Sequence, residues 1–165
     1  MSRILFLDID GVLNSSQHMG LRSECALCED LCWFDPKAVA RLNAITDRTK
    51  AKIVVSSSWR VGRTLNDLRK ILEGHGVTGT VIGATPKKFM TRDDTELLGK
   101  ATWSVRGEEI AYWLKSVQTS IRSFAIVDDD SDMADVAHRH VKTTWTNGLL
   151  DEHVERLIAL LMEGE

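Results

Sequence analysis

The sequence predicts an α/β fold in which a parallel sheet carries helices on both faces. Two observations lead to this prediction. Short apolar segments of strand length alternate with longer segments of helical periodicity, as in βαβ units. In addition, three of the apolar segments end in polar residues, and open parallel sheets bind their ligands at the carboxyl ends of the strands.

The predicted strands are short apolar segments bounded by polar or turn residues. The clearest are residues 4–7, 52–55 and 124–127. A shorter strand is predicted at residues 81–82, and an edge strand is predicted near Val141. Helical segments separate these strands, which favours parallel pairing.

The first predicted helix has clear start signals. Asp35 can cap it, Pro36 suits its first turn, and Phe34 can pack against Val39. Apolar residues at helical spacing predict the later helices, which cover approximately residues 65–74, 107–116, 133–138 and 150–161.

The most informative segment follows the first strand and reads DIDGVLN, residues 8–14. Because side chains alternate along a strand, Asp8 and Asp10 are expected to point the same way. Two buried carboxylates need compensation, and a divalent cation would keep one ionised as a nucleophile while the other exchanges protons. Gly11 allows a sharp turn behind them. A plain Asp-Gly turn, in which the aspartates bind backbone amides, is the simpler alternative.

Two other strands also end in polar residues. Residues 52–55 are followed by Ser56-Ser57-Ser58-Trp59-Arg60, and residues 124–127 by Asp128-Asp129-Asp130-Ser131-Asp132. Together with residues 8–14, these segments resemble the motifs of the haloacid dehalogenase-like (HAD) superfamily of aspartate-nucleophile phosphotransferases. The resemblance implies a three-layer Rossmann-like sheet and a Mg²⁺-dependent phosphomonoester hydrolase that forms an aspartyl-phosphate.

The resemblance also implies a role for each site residue. Asp8 is the expected nucleophile, and Asp10 is the expected acid and base. Ser56 would hold the transferring phosphoryl group, and the predicted substrate-binding residues beside it are Ser57 and Arg60. The family's cation near the helix before the last motif is assigned to Arg106, with the alternatives Lys87 and Lys88.

The expected metal is Mg²⁺, bound by oxygen ligands with water completing an octahedron. Its predicted ligands are Asp8, the backbone carbonyl of Asp10, and one of Asp128 and Asp129, of which Asp129 is the first choice. Asp132 is a further candidate, expected to bind through water.

Residues 15–34 occupy the position where members of the superfamily carry a flap or an inserted cap domain. About twenty residues are too few for an independent cap, so one HAD-like domain over residues 1–165 is expected, with an open site. This loop holds all three cysteines, Cys25, Cys28 and Cys32, and His18 lies upstream. These residues form a legitimate zinc set, although the spacing also fits a helical turn of buried thiols.

Composition agrees with one globular enzyme domain. Hydrophobic residues make up 43% of the 165 residues, which argues against disorder. A net charge of −3 gives no overall basic field of the kind that nucleic-acid-binding proteins carry, although it does not exclude a local basic patch. Because the sequence contains no apolar segment of membrane-spanning length and no signal-peptide pattern, a cytoplasmic location is expected.

A narrower resemblance rests on VVSSSWR, RGEEIAYWL and the late NGL. These segments resemble the HAD domain of Swiss Army Knife RNA-repair proteins, which implies action on polynucleotide phosphate ends. Bases could stack on tryptophans and arginines could neutralise phosphates; the candidates are Trp59, Trp103, Trp145, Arg60, Arg63 and Arg92. For these side chains, the alternatives are tryptophans that fill the core and arginines that are solvated at the surface. For the function, the alternatives are a phosphatase of a small metabolite or nucleotide, other HAD chemistry, and a catalytically silent binding domain.

Overall fold

The computed structural model describes residues 1–22, 33–86, 105–118 and 120–163. These residues form one five-stranded sheet in which every neighbouring pair is parallel and the strand order is β3-β2-β1-β4-β5. The predicted fold class, α/β with a Rossmann-like parallel sheet, is confirmed. The strands are β1 (Ser2–Leu7), β2 (Lys52–Val55), β3 (Val81–Ala84), β4 (Ile121–Asp128) and β5 (His140–Lys142).

Five α-helices and two 3₁₀ helices occur among the described residues. The α-helices are α1 (Ser16–Arg22), α2 (Pro36–Thr49), α3 (Leu65–Gly74), α4 (Arg106–Ser116) and α5 (Asp151–Met162), and the 3₁₀ helices are Ser58–Arg60 and Ala134–Arg139. None of the helices in this part of the chain has the length and apolar character needed to cross a membrane.

Local sequence signals explain where the helices begin. Asp35 caps α2 by accepting a hydrogen bond from the Lys37 N–H, and Pro36 occupies its first turn. Thr64 and Asp67 form a reciprocal capping box at the start of α3. These are interactions between near neighbours, so the sequence was sufficient to locate both helix starts.

The sheet separates two apolar clusters. Leu5 and Leu7 of β1 belong to the larger cluster, together with residues of α2, α3 and α5. Ile4 and Phe6 belong to the smaller cluster, which includes Ile110 of α4. Because successive strand residues face opposite sides, the continuous apolar run of β1 supplies both clusters, as expected for a sheet covered on both faces.

Two segments differ from the sequence predictions. Residues 15–34 were expected to be a loop, but α1 occupies the first part, since the Ser15 hydroxyl accepts a hydrogen bond from the His18 N–H. The helix predicted at 133–138 is the 3₁₀ helix Ala134–Arg139 in the connection between β4 and β5. Among the described residues, no separate cap domain follows β1.

Candidate active site

The carboxyl ends of β1, β2 and β4 place three polar residues side by side. Asp8 donates its backbone N–H to the Val127 carbonyl, and Ser56 donates its N–H to the Leu7 carbonyl. Asp8, Ser56 and Asp128 are buried, with relative exposures of 4%, 0% and 0%. Parallel pairing therefore brings together the three motifs that lie far apart in the sequence.

Three carboxylates form the acidic centre of the site. One oxygen from each of Asp8, Asp128 and Asp129 lies within 4.8 Å of the other two. Burial, and secondarily the neighbouring Asp8, raises the pKa of Asp128 to about 8. Burial also raises the pKa of Asp8, although Arg106 opposes this effect. Both shifts reflect the free-energy cost of holding closely spaced carboxylates ionised in a buried site.

Asp128 has one oxygen to offer to a ligand. Its Oδ1 accepts a hydrogen bond from the backbone N–H of Asp130 at 2.9 Å. Its buried Oδ2 accepts no hydrogen bond from any described residue. A hard divalent cation such as Mg²⁺ prefers carboxylate oxygens, so this oxygen and its neighbours in the acidic centre have the donor chemistry of a magnesium site.

Gly11 allows Asp129 to approach β1. Its φ of +69° lies in the left-handed region, and a Cβ at this position would be only 2.3 Å from the Asp129 carboxyl carbon. The Thr143 hydroxyl donates to the Gly11 carbonyl at 2.7 Å and holds the turn. A side chain at position 11 would therefore displace Asp129 from the acidic centre.

Arg106 is the described cation closest to these carboxylates. Its Nη2 lies 3.8 Å from Asp8 Oδ2, and its Nε lies 3.3 Å from Asp128 Oδ2. Its buried Nη1 donates to no acceptor within the described residues, so it remains available to an anion. Lys87 and Lys88, the alternatives for this role, lie outside the described residues.

Asp132 positions the start of α4. Its Oδ2 accepts a hydrogen bond from the Arg106 backbone N–H at 3.0 Å, and its carbonyl accepts from Gly107. A carboxylate at this position is favoured by the helix dipole, whereas the Arg106 cation is not. Asp132 is not part of the acidic centre among the described residues; its observed contact is with the helix that carries Arg106.

The residues after β2 place two hydroxyls at the site. The Ser57 hydroxyl hydrogen-bonds to Asp8, a contact that favours the ionised carboxylate. The Ser56 hydroxyl is fully buried and has no hydrogen-bond partner in the described part of the chain. A buried hydroxyl without a partner costs free energy, and an oxygen of a bound phosphoryl group would satisfy it.

Arg60, one of the predicted substrate-binding residues, lies inside the protein. Its side chain is only 8% exposed and forms an ion pair with Glu109 of α4, which is 6% exposed. Arg60 also donates to the Ser57 carbonyl at 2.5 Å. Desolvation lowers the pKa of Arg60, and Glu109 opposes this shift. Because its charge is paired inside the protein, Arg60 supports the Ser57 segment instead of facing solvent.

Asp10 contacts a different set of residues from Asp8. The Asn14 side-chain amide donates to its Oδ1 at 2.8 Å, and the Trp59 indole Nε1 lies 3.0 Å from both of its carboxylate oxygens. The sequence analysis did not identify Asn14 or Glu109 as site residues, and it expected Trp59 to stack on a base and not to bind Asp10. Asn14 alone had a local signal, because it lies four residues after Asp10.

The remaining predicted residues are dispersed. Trp145, half exposed, follows β5 at the same edge of the sheet as the acidic centre. The Arg63 guanidinium lies over the Trp59 ring, 5.5 Å from its centroid. His18 lies in α1. The other candidates lie outside the described residues: Cys25, Cys28, Cys32, Arg92 and Trp103.

Comparison with family models agrees with this geometry. Residues 4–154 match the model of the HAD domain in Swiss Army Knife RNA repair proteins. The chain belongs to this family. Comparisons with curated proteins and with solved structures gave no match. The predicted superfamily and the narrower resemblance are therefore both confirmed, and the chain is a HAD-type hydrolase domain.

Proposed function

We propose that the chain is a magnesium-dependent phosphomonoesterase that works through an aspartyl-phosphate. The observation that supports this most directly is the acidic centre at the sheet edge, flanked by the unsatisfied Ser56 hydroxyl and the Arg106 guanidinium. A carboxylate cluster for a cation, beside donors for an anion, matches the two charges of a metal-bound phosphate monoester.

The metal would be held by Asp8, Asp128, Asp129 and the backbone carbonyl of Asp10. The donor set consists of hard oxygens, and Asp128 Oδ2 pairs with the Arg106 guanidinium but accepts no hydrogen bond from the described residues. When bound, Mg²⁺ supplies positive charge that keeps the carboxylates ionised and neutralises phosphoryl oxygens.

The residues of the chain then divide the reaction. The Asp8 carboxylate attacks phosphorus, and the bond between phosphorus and the leaving oxygen breaks while Asp10 donates a proton to that oxygen. Asp10, now ionised, takes a proton from water, whose oxygen attacks the phosphorus of the aspartyl-phosphate and releases phosphate and Asp8. Ser56 and Arg106 would donate hydrogen bonds to the phosphoryl oxygens throughout.

Phosphate release from p-nitrophenyl phosphate tests this proposal. We expect turnover that requires Mg²⁺, ends on chelation and returns when Mg²⁺ is added in excess. Asp10→Asn should slow turnover of alkyl phosphates more than that of the activated aryl ester, because only a poor leaving group needs the proton. A folded protein that binds Mg²⁺ but turns over neither ester would instead be a binding domain.

For the natural substrate, we propose a polynucleotide with a terminal phosphate. The matched family is named for RNA repair, and no cap domain covers the site among the described residues. The half-exposed Trp145 offers a ring at the same sheet edge on which a base could stack. A small-metabolite phosphatase is the alternative.

A substrate panel separates the two. We expect oligonucleotides with a 3′- or 5′-phosphate to have higher kcat/KM than nucleotides and sugar phosphates, with an advantage that falls as salt rises. Trp145→Ala should raise KM for oligonucleotides and leave p-nitrophenyl phosphate unchanged. Preference for a small phosphate ester at low salt would contradict the polynucleotide assignment and leave the phosphatase assignment intact.

A further inference from the structure

The Asp10 carboxylate is held by two side-chain donors. Trp59 Nε1 lies 3.0 Å from both oxygens, and Asn14 Nδ2 lies 2.8 Å from Oδ1. An indole N–H and a carboxamide donate hydrogen bonds but do not exchange protons at neutral pH. They can therefore set the direction of the carboxylate without competing with it for the transferred proton.

The two oxygens of Asp10 are not equivalent. Oδ1 accepts from both Asn14 and Trp59, whereas Oδ2 accepts from Trp59 alone among the side chains described. Oδ2 therefore keeps more acceptor capacity for a group of the substrate than Oδ1 does.

Trp59 is itself firmly held. Its backbone lies in the 3₁₀ helix Ser58–Arg60, and its backbone N–H donates to the Ser57 hydroxyl. The Phe34 ring packs against the indole with centroids 5.7 Å apart, and the Arg63 guanidinium lies 5.5 Å from the ring centroid and donates to the Trp59 carbonyl. These contacts restrict the indole, so its N–H direction is fixed by the protein.

We propose that Trp59 is a positioning residue that directs Oδ2 of Asp10 toward the leaving oxygen of the substrate. This inference rests on the proposed function, in which Asp10 donates a proton to the leaving oxygen as the bond from phosphorus to that oxygen breaks. It also changes the role expected of Trp59. Trp59 does not stack on a nucleic-acid base, because the Arg63 guanidinium and the Phe34 ring already contact its indole. The indole N–H is also bound to Asp10.

The test is a series of phosphate monoesters with leaving groups from p-nitrophenol to simple alcohols. Trp59→Phe keeps an aromatic ring and removes the N–H. We expect kcat/KM for alkyl phosphates to fall about 10- to 100-fold, the range for losing one hydrogen bond to a charged group. The kcat/KM for p-nitrophenyl phosphate should change less than about threefold, because it reports the steps up to departure of the leaving group and that group departs without a proton.

The double variant Asp10→Asn/Trp59→Phe makes the test specific. If Trp59 acts only through Asp10, the double variant should be no slower on alkyl phosphates than Asp10→Asn alone. Trp59→Leu, which lacks the donor but has another shape, should repeat the result and replaces Trp59→Phe if that variant does not fold. Trp113→Phe is the matched control, because Trp113 packs on Phe6 in the other apolar cluster.

Each outcome has a distinct meaning. Equal losses across all leaving groups, or additive losses in the double variant, would overturn the positioning role and show a structural one. A raised KM confined to oligonucleotides would overturn it in favour of base stacking. If the wild-type protein hydrolyses none of the esters, the proposed function fails and the inference fails with it, whereas an active wild type with an unaffected Trp59→Phe variant would overturn the inference alone.

Discussion

The two halves of the site handle charge differently. The half at the ends of β1 and β4 brings three carboxylates together with one guanidinium, and one oxygen, Asp128 Oδ2, accepts no hydrogen bond from the described residues. After β2, the charged groups already have protein partners, because Arg60 pairs with Glu109, and Trp59 donates to Asp10, which follows β1. The first half is suited to bind a cation, and the second is suited to fix the positions of side chains such as Asp10.

This comparison predicts that substitutions in the acidic half change chemistry and metal binding, whereas substitutions of the paired charges after β2 change stability. Asp8→Asn should have the largest effect, since a neutral amide cannot attack phosphorus; kcat should fall by at least about 10⁴-fold. The metal-free variant should unfold at a higher temperature than wild type, because burial raises the pKa of Asp8 and its ionised form is destabilising there. Unchanged turnover would remove Asp8 as the nucleophile.

Glu109→Gln should have the next largest effect, on the free energy of unfolding. It leaves the buried Arg60 guanidinium without its counter-charge, and breaking a buried pair costs about 3–5 kcal/mol. Denaturant unfolding measures the change. The matched control is Glu155→Gln, which breaks the exposed pair with Arg48 and should change stability little. Equal effects of the two variants would show that the Arg60 pair is not energetically special.

Magnesium affinity should depend on pH. The pKa of Asp128 is raised to about 8 in the metal-free protein, so at lower pH the metal must displace a proton. Affinity should therefore fall by up to tenfold per unit from pH 8 to pH 6, which is about 100-fold in total. Calorimetry in buffers of different ionisation enthalpy measures both affinity and proton release. Asp128→Asn should remove the contribution of that proton to the pH dependence. An equally steep fall in magnesium affinity in that variant would show that the released proton comes from another group.

The same shift predicts the opposite trend for stability without metal. The unfolded-state pKa of an aspartate is near 3.8, below the folded value, so the folded protein binds the proton more tightly. The contribution of Asp128 to the free energy of unfolding should therefore fall as pH rises from about 4 to about 8. Added Mg²⁺ should offset this loss most strongly near pH 8.

Ser56→Ala should have a smaller effect on kcat than Asp8→Asn. Loss of one phosphoryl-oxygen donor typically lowers kcat by about 10²-fold, and stability should rise slightly because an unsatisfied buried hydroxyl is removed. Thermal unfolding and phosphate release on the same samples measure both. A loss of stability without a loss of rate would show that Ser56 serves packing and does not bind the phosphoryl group.

The sequence alone was sufficient for the fold class and for the residues at the strand ends. Apolar strands can be recognised from their local sequence. Parallel pairing places the residues that follow such strands at one edge of the sheet, so Asp8, Ser56 and Asp128 lie together there. The starts of α2 and α3 were equally local, because capping involves residues two or three positions apart.

Only the tertiary structure decided what the polar residues after β2 contact. Arg60 and Glu109 are 49 residues apart, as are Asp10 and Trp59. Their meeting depends on where α4 crosses the sheet and how the 3₁₀ helix Ser58–Arg60 turns, neither of which has a local pattern. An arginine after a strand has the same sequence signature whether it faces solvent or a buried glutamate, because the partner that neutralises its charge is chosen by packing.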